Sequence, residues 1–230
     1  MGVNIGPSLP IRVRNKMILC LDAGDRISYI GSGATWSDLT IFNHDATIQN
    51  STDWSADEAN GRFDFNGSNH YCTIARTDTF DAATSVSLAC WFTTDDAAGE
   101  GNLISKEYQY RLMASHGSSN PGFQLQYGSS EYSGIYVGHA LSTSRWYHMA
   151  GTYDNTSGVQ NLYLDGNLVA TATPSTNGTY DNNENIGIGA KPGGSHFHEG
   201  KIATVAIWNT PLTTRHIKLI FNSQRSRFGV

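Results

Sequence analysis

The sequence predicts an all-β protein: a two-sheet antiparallel jelly-roll sandwich with a short C-terminal helix and an extended N-terminal arm. Three observations carry that prediction. Segments of alternating polarity recur at intervals of about 8–15 residues, the rhythm of short strands in a sandwich or jelly roll. The chain of 230 residues holds 24 glycines and is only 15% charged, a profile of many tight turns rather than of helical bundles or disorder. One stretch alone, near the C terminus, has a helical period.

In chain order, residues 1–10 (MGVNIGPSLP) contain Gly2, Gly6, Pro7 and Pro10, which cannot pack as regular structure alone, so residues 1–16 are expected as an extended arm. Residues 17–23 (MILCLDA) read as the first strand, followed by a Gly/Ser-rich loop over 28–39 closed by Trp36 and Leu39. Residues 62–65 and 71–75 flank Asn66-Gly67-Ser68-Asn69, whose amides and glycine predict a hairpin turn with positive-φ positions. In 85–94 (SVSLACWFTT), Val86, Leu88, Cys90 and Phe92 alternate with Ser85, Ser87, Ala89 and Trp91, a strand with one buried face. Shorter strands follow over 103–105, 110–114, 123–127 and 135–137. In 145–153 (RWYHMAGTY), Trp146, His148, Ala150 and Thr152 share a face, and His148 reads as a hydrogen-bonded core histidine. Strands 160–164 and 167–173 meet at Asp165-Gly166, a two-residue hairpin signal, and 186–190 and 201–208 complete the set.

In 212–223 (LTTRHIKLIFNS), Thr213 is an N-cap, Leu212 staples on Ile217, and Ile217, Ile220 and Phe221 form an apolar stripe, predicting a helix that lies across a sheet edge. Strand spacing is uniform from Met17 to Trp208, so residues 17–211 make one domain and 212–230 a helix and tail. Cys20, Cys72 and Cys90 are an odd, scattered set, read as buried free thiols rather than a disulfide framework. A net charge of −5 without any Lys/Arg run excludes nucleic acid as a partner. No apolar run approaches the ~18–20 residues that cross a bilayer. Residues 1–10 lack the basic start and apolar core of a signal peptide, so a soluble protein made in a cytosol is expected.

Taken in order, FDFNGSNHY (63–71), SVSLACWF (85–92), NLISK (102–106), WYHMAGTY (146–153), NLYLDGNLV (161–169) and GKIATVAIWN (200–209) resemble the laminin-G-like members of the concanavalin A-like lectin/glucanase superfamily. The ordered set makes the likeness specific, covers about residues 60–215, and implies two antiparallel sheets stacked as a curved jelly roll. Residues 19–39 and 212–230 are similar to segments that open and close this module in virion proteins of tailed bacteriophages, particularly marine ones. That likeness implies a non-catalytic virion protein, decorating a capsid or serving tail or fibre adhesion. Such a protein is assembled in the host cytoplasm as a homo-oligomer with other virion proteins as partners. The alternative is a carbohydrate-binding module for host surface polysaccharide.

The family's glucanases present Glu-x-Asp-x-x-Glu or Glu-x-Asp-x-Glu on one strand. None of Glu58, Glu100, Glu107, Glu131, Glu184 and Glu199 heads such a run, and the adjacent pair Asp95-Asp96 would point to opposite faces. Glycoside cleavage needs two carboxyl groups ~5–9.5 Å apart, so no catalytic residue is assigned. A glycan depolymerase with a site shared between subunits is the remaining enzymatic alternative. Family members bind calcium near the first hairpin and a late Gly-Lys-Ile-Asp-Glu-Val-like strand; here Ala203 and Thr204 stand in the acidic positions and Asn66 and Asn69 in the hairpin. No resident cofactor or metal is expected, and a structural calcium would fall to Asp22, Asp64 and main-chain oxygens. His196 and His198 would project on one side of a strand near Glu199, as a metal pair if a third ligand converged or as a solvated strand face.

Binding is then carried by aromatics. Tyr108, Tyr110, His116, Tyr127, Tyr132 and Tyr136 are interleaved with Asn120, Gln124, Gln126 and Ser129, and Asn182 and Asn183 sit in a polar loop over 177–185. Aromatic faces stack on the C–H faces of sugars while amides bond hydroxyls, although half of these tyrosines must point into the sandwich. For protein partners, Ile5, Pro7 and Pro10 of the arm and Arg225, Arg227 and Phe228 of the tail (QRSRFGV) are expected to be loose on a free monomer and ordered in an assembly.

Overall fold

The structure, a computed structural model, describes residues 11–81, 85–95, 100–117, 120–127, 132–143, 145–174 and 183–230. Its strands are β1 Met17–Asp22, β2 Thr35–Trp36, β3 Ala46–Gln49, β4 Asp53–Ser55, β5 Arg62–Asn66, β6 Tyr71–Ile74, β7 Ser85–Phe92, β8 Gly101–Lys106, β9 Tyr110–Ser115, β10 Gly122–Gln126, β11 Tyr132–Tyr136, β12 Tyr147–Asp154, β13 Val159–Leu164, β14 Asn167–Ala172, β15 Ile186–Ile188 and β16 Glu199–Trp208, with helices α1 Ile11–Arg14 and α2 Thr214–Gln224. They form two eight-stranded sheets. The back sheet runs β14-β13-β12-β7-β16-β5-β4 with β1 also beside β16; the front sheet runs β11-β10-β9-β8-β15-β6-β3-β2. All strand pairs named here are antiparallel, as expected for a jelly roll.

Alternation places the inner faces together. Leu88, Cys90 and Phe92 of β7, Met149 and Tyr153 of β12 and Val205 and Ile207 of β16 meet Leu112, Phe123, Leu125, Ile104 and Ile186 of the front sheet in one apolar cluster. Gly151 shows how close the sheets come: a Cβ there would lie 2.4 Å from Cγ of Phe123, so the ring fills the space a side chain would need. β7 departs from its expected half-burial, since all eight of its residues are buried. Its outer side chains Ala89 and Trp91 are covered by α2 and by the C-terminal turn.

α2 starts where expected. The Thr213 hydroxyl accepts from the His216 N–H at 3.3 Å, and His216 Nδ1 accepts from the Thr213 N–H at 3.4 Å, so an imidazole takes the place of the Glu of a usual capping box. The helix does not lie across an edge. Ile217 and Ile220 pack over Ala89, Ala150, Ala206 and Trp208 on the outer face of the back sheet. Ala150, Ala89 and Ala206 are cross-strand neighbours, and three small side chains in a row make a trough that a helix can enter.

Other expectations are corrected by pairing. The turn at Asn66–Asn69 forms, with Asn66 Oδ1 accepting from the N–H groups of Ser68, Asn69 and His70 at 3.0, 3.0 and 3.1 Å. It closes no hairpin, because β5 belongs to the back sheet and β6 to the front one. The Asp165-Gly166 hairpin is as expected: Leu164 pairs Asn167, and φ values of 49° and 75° give the doubly left-handed turn that matches strand twist. β2, β3 and β4, of two to four residues, were not anticipated.

Residues 11–16 are not the extended chain expected for them. Residues 11–14 form a helical turn, Val13 is buried, and its carbonyl accepts from the Trp208 indole N–H. Ile5, Pro7 and Pro10 lie outside the described residues. The tail is not loose either. Arg227 Nη1 sits 2.8 Å from the Asp22 carboxylate, both side chains being 7% exposed, and Phe228 stacks on Trp91 with centroids 4.0 Å apart. Arg227 and Phe228 therefore serve the fold, and of the three tail residues of the expected contact set Arg225 alone is exposed. The three cysteines are free thiols, Cys72 and Cys90 buried.

Candidate functional site

On the outer face of the front sheet, register aligns a group of functional side chains. Gly122 pairs Tyr136 and Met113, and Gln124 pairs Gly134 and Arg111, so all six project outward together. Two of them are glycines inside strands, and they determine what the tyrosine does. A Cβ at Gly122 would lie 2.4 Å from Cδ1 of Tyr136, and one at Gly134 2.3 Å from its hydroxyl oxygen. The Tyr136 ring therefore lies flat on a glycine floor. His116 stacks beside it, centroids 5.5 Å apart and planes within 12°, which makes a two-ring platform.

Charged and amide groups rim the platform. Glu100 holds His196 Nε2 at 2.7 Å with one oxygen and faces His116 Nδ1 at 3.6 Å with the other. Arg111 donates to the Gln124 side-chain oxygen, and Lys191 Nζ lies 3.1 Å from Glu107. The far wall is the turn through residues 190–196, which descends onto the sheet because residue 187 is glycine; a Cβ there would meet the Ala190 carbonyl oxygen at 2.3 Å. Asn102 fixes the turn by donating to the His196 carbonyl from both backbone and side chain, at 3.2 and 3.1 Å. Burial and then Lys191 lower the His196 imidazole against the pull of Glu100. Burial raises the Tyr136 hydroxyl against Arg111, with Tyr132 and Glu100 adding to the rise, so the ring remains a phenol able to donate and accept.

The expected binding residues separate. His116, Tyr136 and Gln124 converge on the platform, and Tyr132, 65% exposed, stands on the same face of β11. Tyr108 is exposed in the turn after β8 with a φ of 62°, apart from the stacked pair. Tyr110 is not a ligand residue: it is 1% exposed and its hydroxyl donates to the Phe80 carbonyl at 3.2 Å. Tyr127 packs against the interior cluster. Asn183 is exposed, and Asn182 lies outside the described residues. Glu100, Arg111 and Lys191 were missed. Gly122 and Gly134 were the available signal, since glycine within a strand marks a close approach to the sheet.

The residues that a metal would have used are committed elsewhere. His198 is buried with Nε2 2.9 Å from the Thr93 carbonyl, while His196 stands in the turn before β16, so the two do not share a face. Asp22 faces Arg227 and Asp64 faces Arg62; the carboxylates that a calcium would have needed are already matched by guanidinium groups. Among the described residues no three His, Cys, Asp or Glu side chains form a metal cluster. His148 is a core residue, 1% exposed, but neither of its ring nitrogens has a hydrogen-bond partner, contrary to expectation.

Residues 66–218 match a family model, Laminin_G_3, described as of the concanavalin A-like lectin/glucanases superfamily. The chain belongs to this family. No curated protein matches it in sequence. Among solved structures, this Laminin_G_3 chain is similar to the binding domain of Paraclostridial Mosquitocidal Protein 1, at 13% identity and TM-score 0.72 over 92% of this chain and 53% of that one. It is similar to botulinum neurotoxin type C, described as entering cells through two ganglioside molecules, at 13% identity and TM-score 0.72 over 93% and 53%. It is also similar to the binding domain of botulinum neurotoxin DC in complex with SialylT, at 14% identity and TM-score 0.70 over 92% and 52%. The chain spans about half the length of each, and identities this low establish a shared fold.

Proposed function

We propose that this Laminin_G_3 domain is a non-catalytic carbohydrate-binding module that holds a glycan on the outer face of its front sheet. The observation that carries the reading is the Tyr136 ring laid flat over Gly122 and Gly134 and extended by His116. An apolar sugar face stacks on such a surface, while Arg111, Glu100 and His196 supply donors and acceptors for hydroxyls around it, and the buried Gln124 holds Arg111 in place. The similar solved structures support the reading, being toxin binding domains described with ganglioside or SialylT. A glycan array followed by calorimetry is expected to find a ligand, and Tyr136→Ala to weaken it about tenfold, the scale of one lost stacking contact. Gly134→Val, which displaces the ring without removing it, is expected to weaken binding as much. Undiminished affinity in both variants would refute the assignment.

A setting in a tailed-bacteriophage virion, as a decoration or tail-adhesion protein assembled in the host cytoplasm, rests on the likeness of residues 19–39 and 212–230 to segments of such proteins. Mass spectrometry of purified particles is expected to detect the chain. Its absence from intact virions would remove the setting and leave the glycan reading standing.

A further inference from the structure

At the platform one cation stands without an anion. Elsewhere guanidinium groups are matched: Arg62, Arg76, Arg145 and Arg227 lie 3.2, 2.8, 2.7 and 2.8 Å from carboxylate oxygens. Lys191 is matched too, at 3.1 Å from Glu107, and Glu100 is engaged by His196. Half-buried Arg111 has the side-chain oxygen of Gln124 instead, a buried amide without charge. Among the described residues no carboxylate pairs with it. A guanidinium carries five N–H donors in a planar fork, so donors and an unmatched charge remain for a ligand.

Register decides where that charge acts. Tyr136 pairs Gly122, which pairs Met113. Along β9, Arg111 precedes this row and His116 follows it, so cation and imidazole flank the Tyr136 ring from opposite directions. Arg111 donates towards β11 through Gln124, and the Tyr136 hydroxyl lies over Gly134 in the same row. The guanidinium therefore stands at the hydroxyl end of the ring, where its charge acts more strongly than that of Glu100. Glu100 stands at the other end, facing His116 and His196. On the far side of the Arg111 row is Tyr132, four residues from Tyr136 on β11 and about 13 Å away along the strand. A saccharide running from one ring to the other passes over the row that Arg111 holds, and the polarity of the platform turns an acidic substituent towards Arg111 and away from Glu100.

On the footing that the platform is a glycan site, we propose that it selects an acidic sugar, with the ring on Tyr136 and a carboxylate on Arg111. The planar fork of a guanidinium matches the two oxygens of a carboxylate, a group that sialic acids and hexuronic acids share. The test is an array on which sialylated and uronic-acid oligosaccharides are each printed beside their carboxyl methyl esters, which keep every hydroxyl and lose the charge, together with neutral oligosaccharides. The full chain is expected to bind acids of one of the two kinds, which identifies the source, at about tenfold lower concentration than their esters, the scale of one charge-assisted hydrogen bond. Arg111→Gln should bring acid and ester to parity, and Tyr136→Ala should weaken both. The acid-to-ester ratio of the native chain decides even where a variant fails to fold. Esters or neutral glycans bound as well as acids, with Tyr136→Ala still weakening them, would overturn the acidic assignment and leave the platform standing. Binding to no glycan at all would overturn both, and an acid preference unchanged in Arg111→Gln would overturn the role of Arg111.

Discussion

Acidification from pH 6.5 to pH 4 is expected to remove about 6 kcal/mol of stability, which is comparable to the whole stability of an ordinary domain. The cause is two histidines that fold neutral. Burial alone lowers His148 to about 3, and burial lowers His198 to about 4 against the pull of hydrogen bonds to Thr93 and Lys201. His148 is enclosed by Trp91 and Phe221, with centroids at 5.2 and 6.1 Å. His198 lies between Phe65 and Phe92, at 6.2 and 6.1 Å. In the unfolded chain both titrate near pH 6.5, so below that pH the unfolded state binds protons that the folded state refuses. Stability therefore falls with pH, by up to about 1.4 kcal/mol per unit for each histidine. Asp22 opposes this, because its folded carboxyl is raised. Urea midpoints measured by circular dichroism at pH 7, 6, 5 and 4 test the expectation, and His148→Leu should roughly halve the slope. A midpoint unchanged across this range would refute it.

Arg227→Met is expected to cost about 3–5 kcal/mol at pH 7, the range for a buried ion pair that loses one partner. Both side chains of the Asp22–Arg227 pair are 7% exposed. The guanidinium also donates to the carbonyls of Ala59 and Gly61, so one side chain ties β1, the loop before β5 and the C terminus together. Burial already raises the Asp22 carboxyl despite Arg227, and removing the cation raises it further. A raised carboxyl contributes stability below its unfolded value and loses it as pH climbs through the folded one. The variant's deficit should therefore shrink at pH 5 and grow towards pH 8, and Asp22→Asn in the same chain should recover much of it. Chemical denaturation of the single and double variants measures both effects; a loss under about 1 kcal/mol at pH 7 would show that the pair is no more than a surface contact.

Much of the fold was legible because its code is local. The Asp165-Gly166 turn needs only two left-handed residues, which Asp and Gly tolerate, and the α2 cap needs only Thr213 and the residue three positions on. Where legibility ended, a partner distant in sequence made the difference. The Asn66 side chain builds its turn unaided, yet whether the chain returns along the same sheet or crosses to the other depends on β16 and β3 being there to pair. Phe228 and Arg227 read as free contact residues because nothing near them in sequence announces Trp91 or Asp22. At the candidate site, Tyr136 was visible as one aromatic among several. Its selection over Tyr110 is a matter of strand parity: the register of β9, β10 and β11 sends one outward over glycines and the other into the core.

By itself, then, the amino-acid order determined the period-two strands, their turns, the terminal helix and the family likeness, since each depends on neighbours within a few positions. Only the tertiary structure decided which aromatic forms a platform and which arginine is buried. Those outcomes depend on contacts between residues up to 205 positions apart, as between Asp22 and Arg227, and such contacts exist only once two sheets have closed on one another.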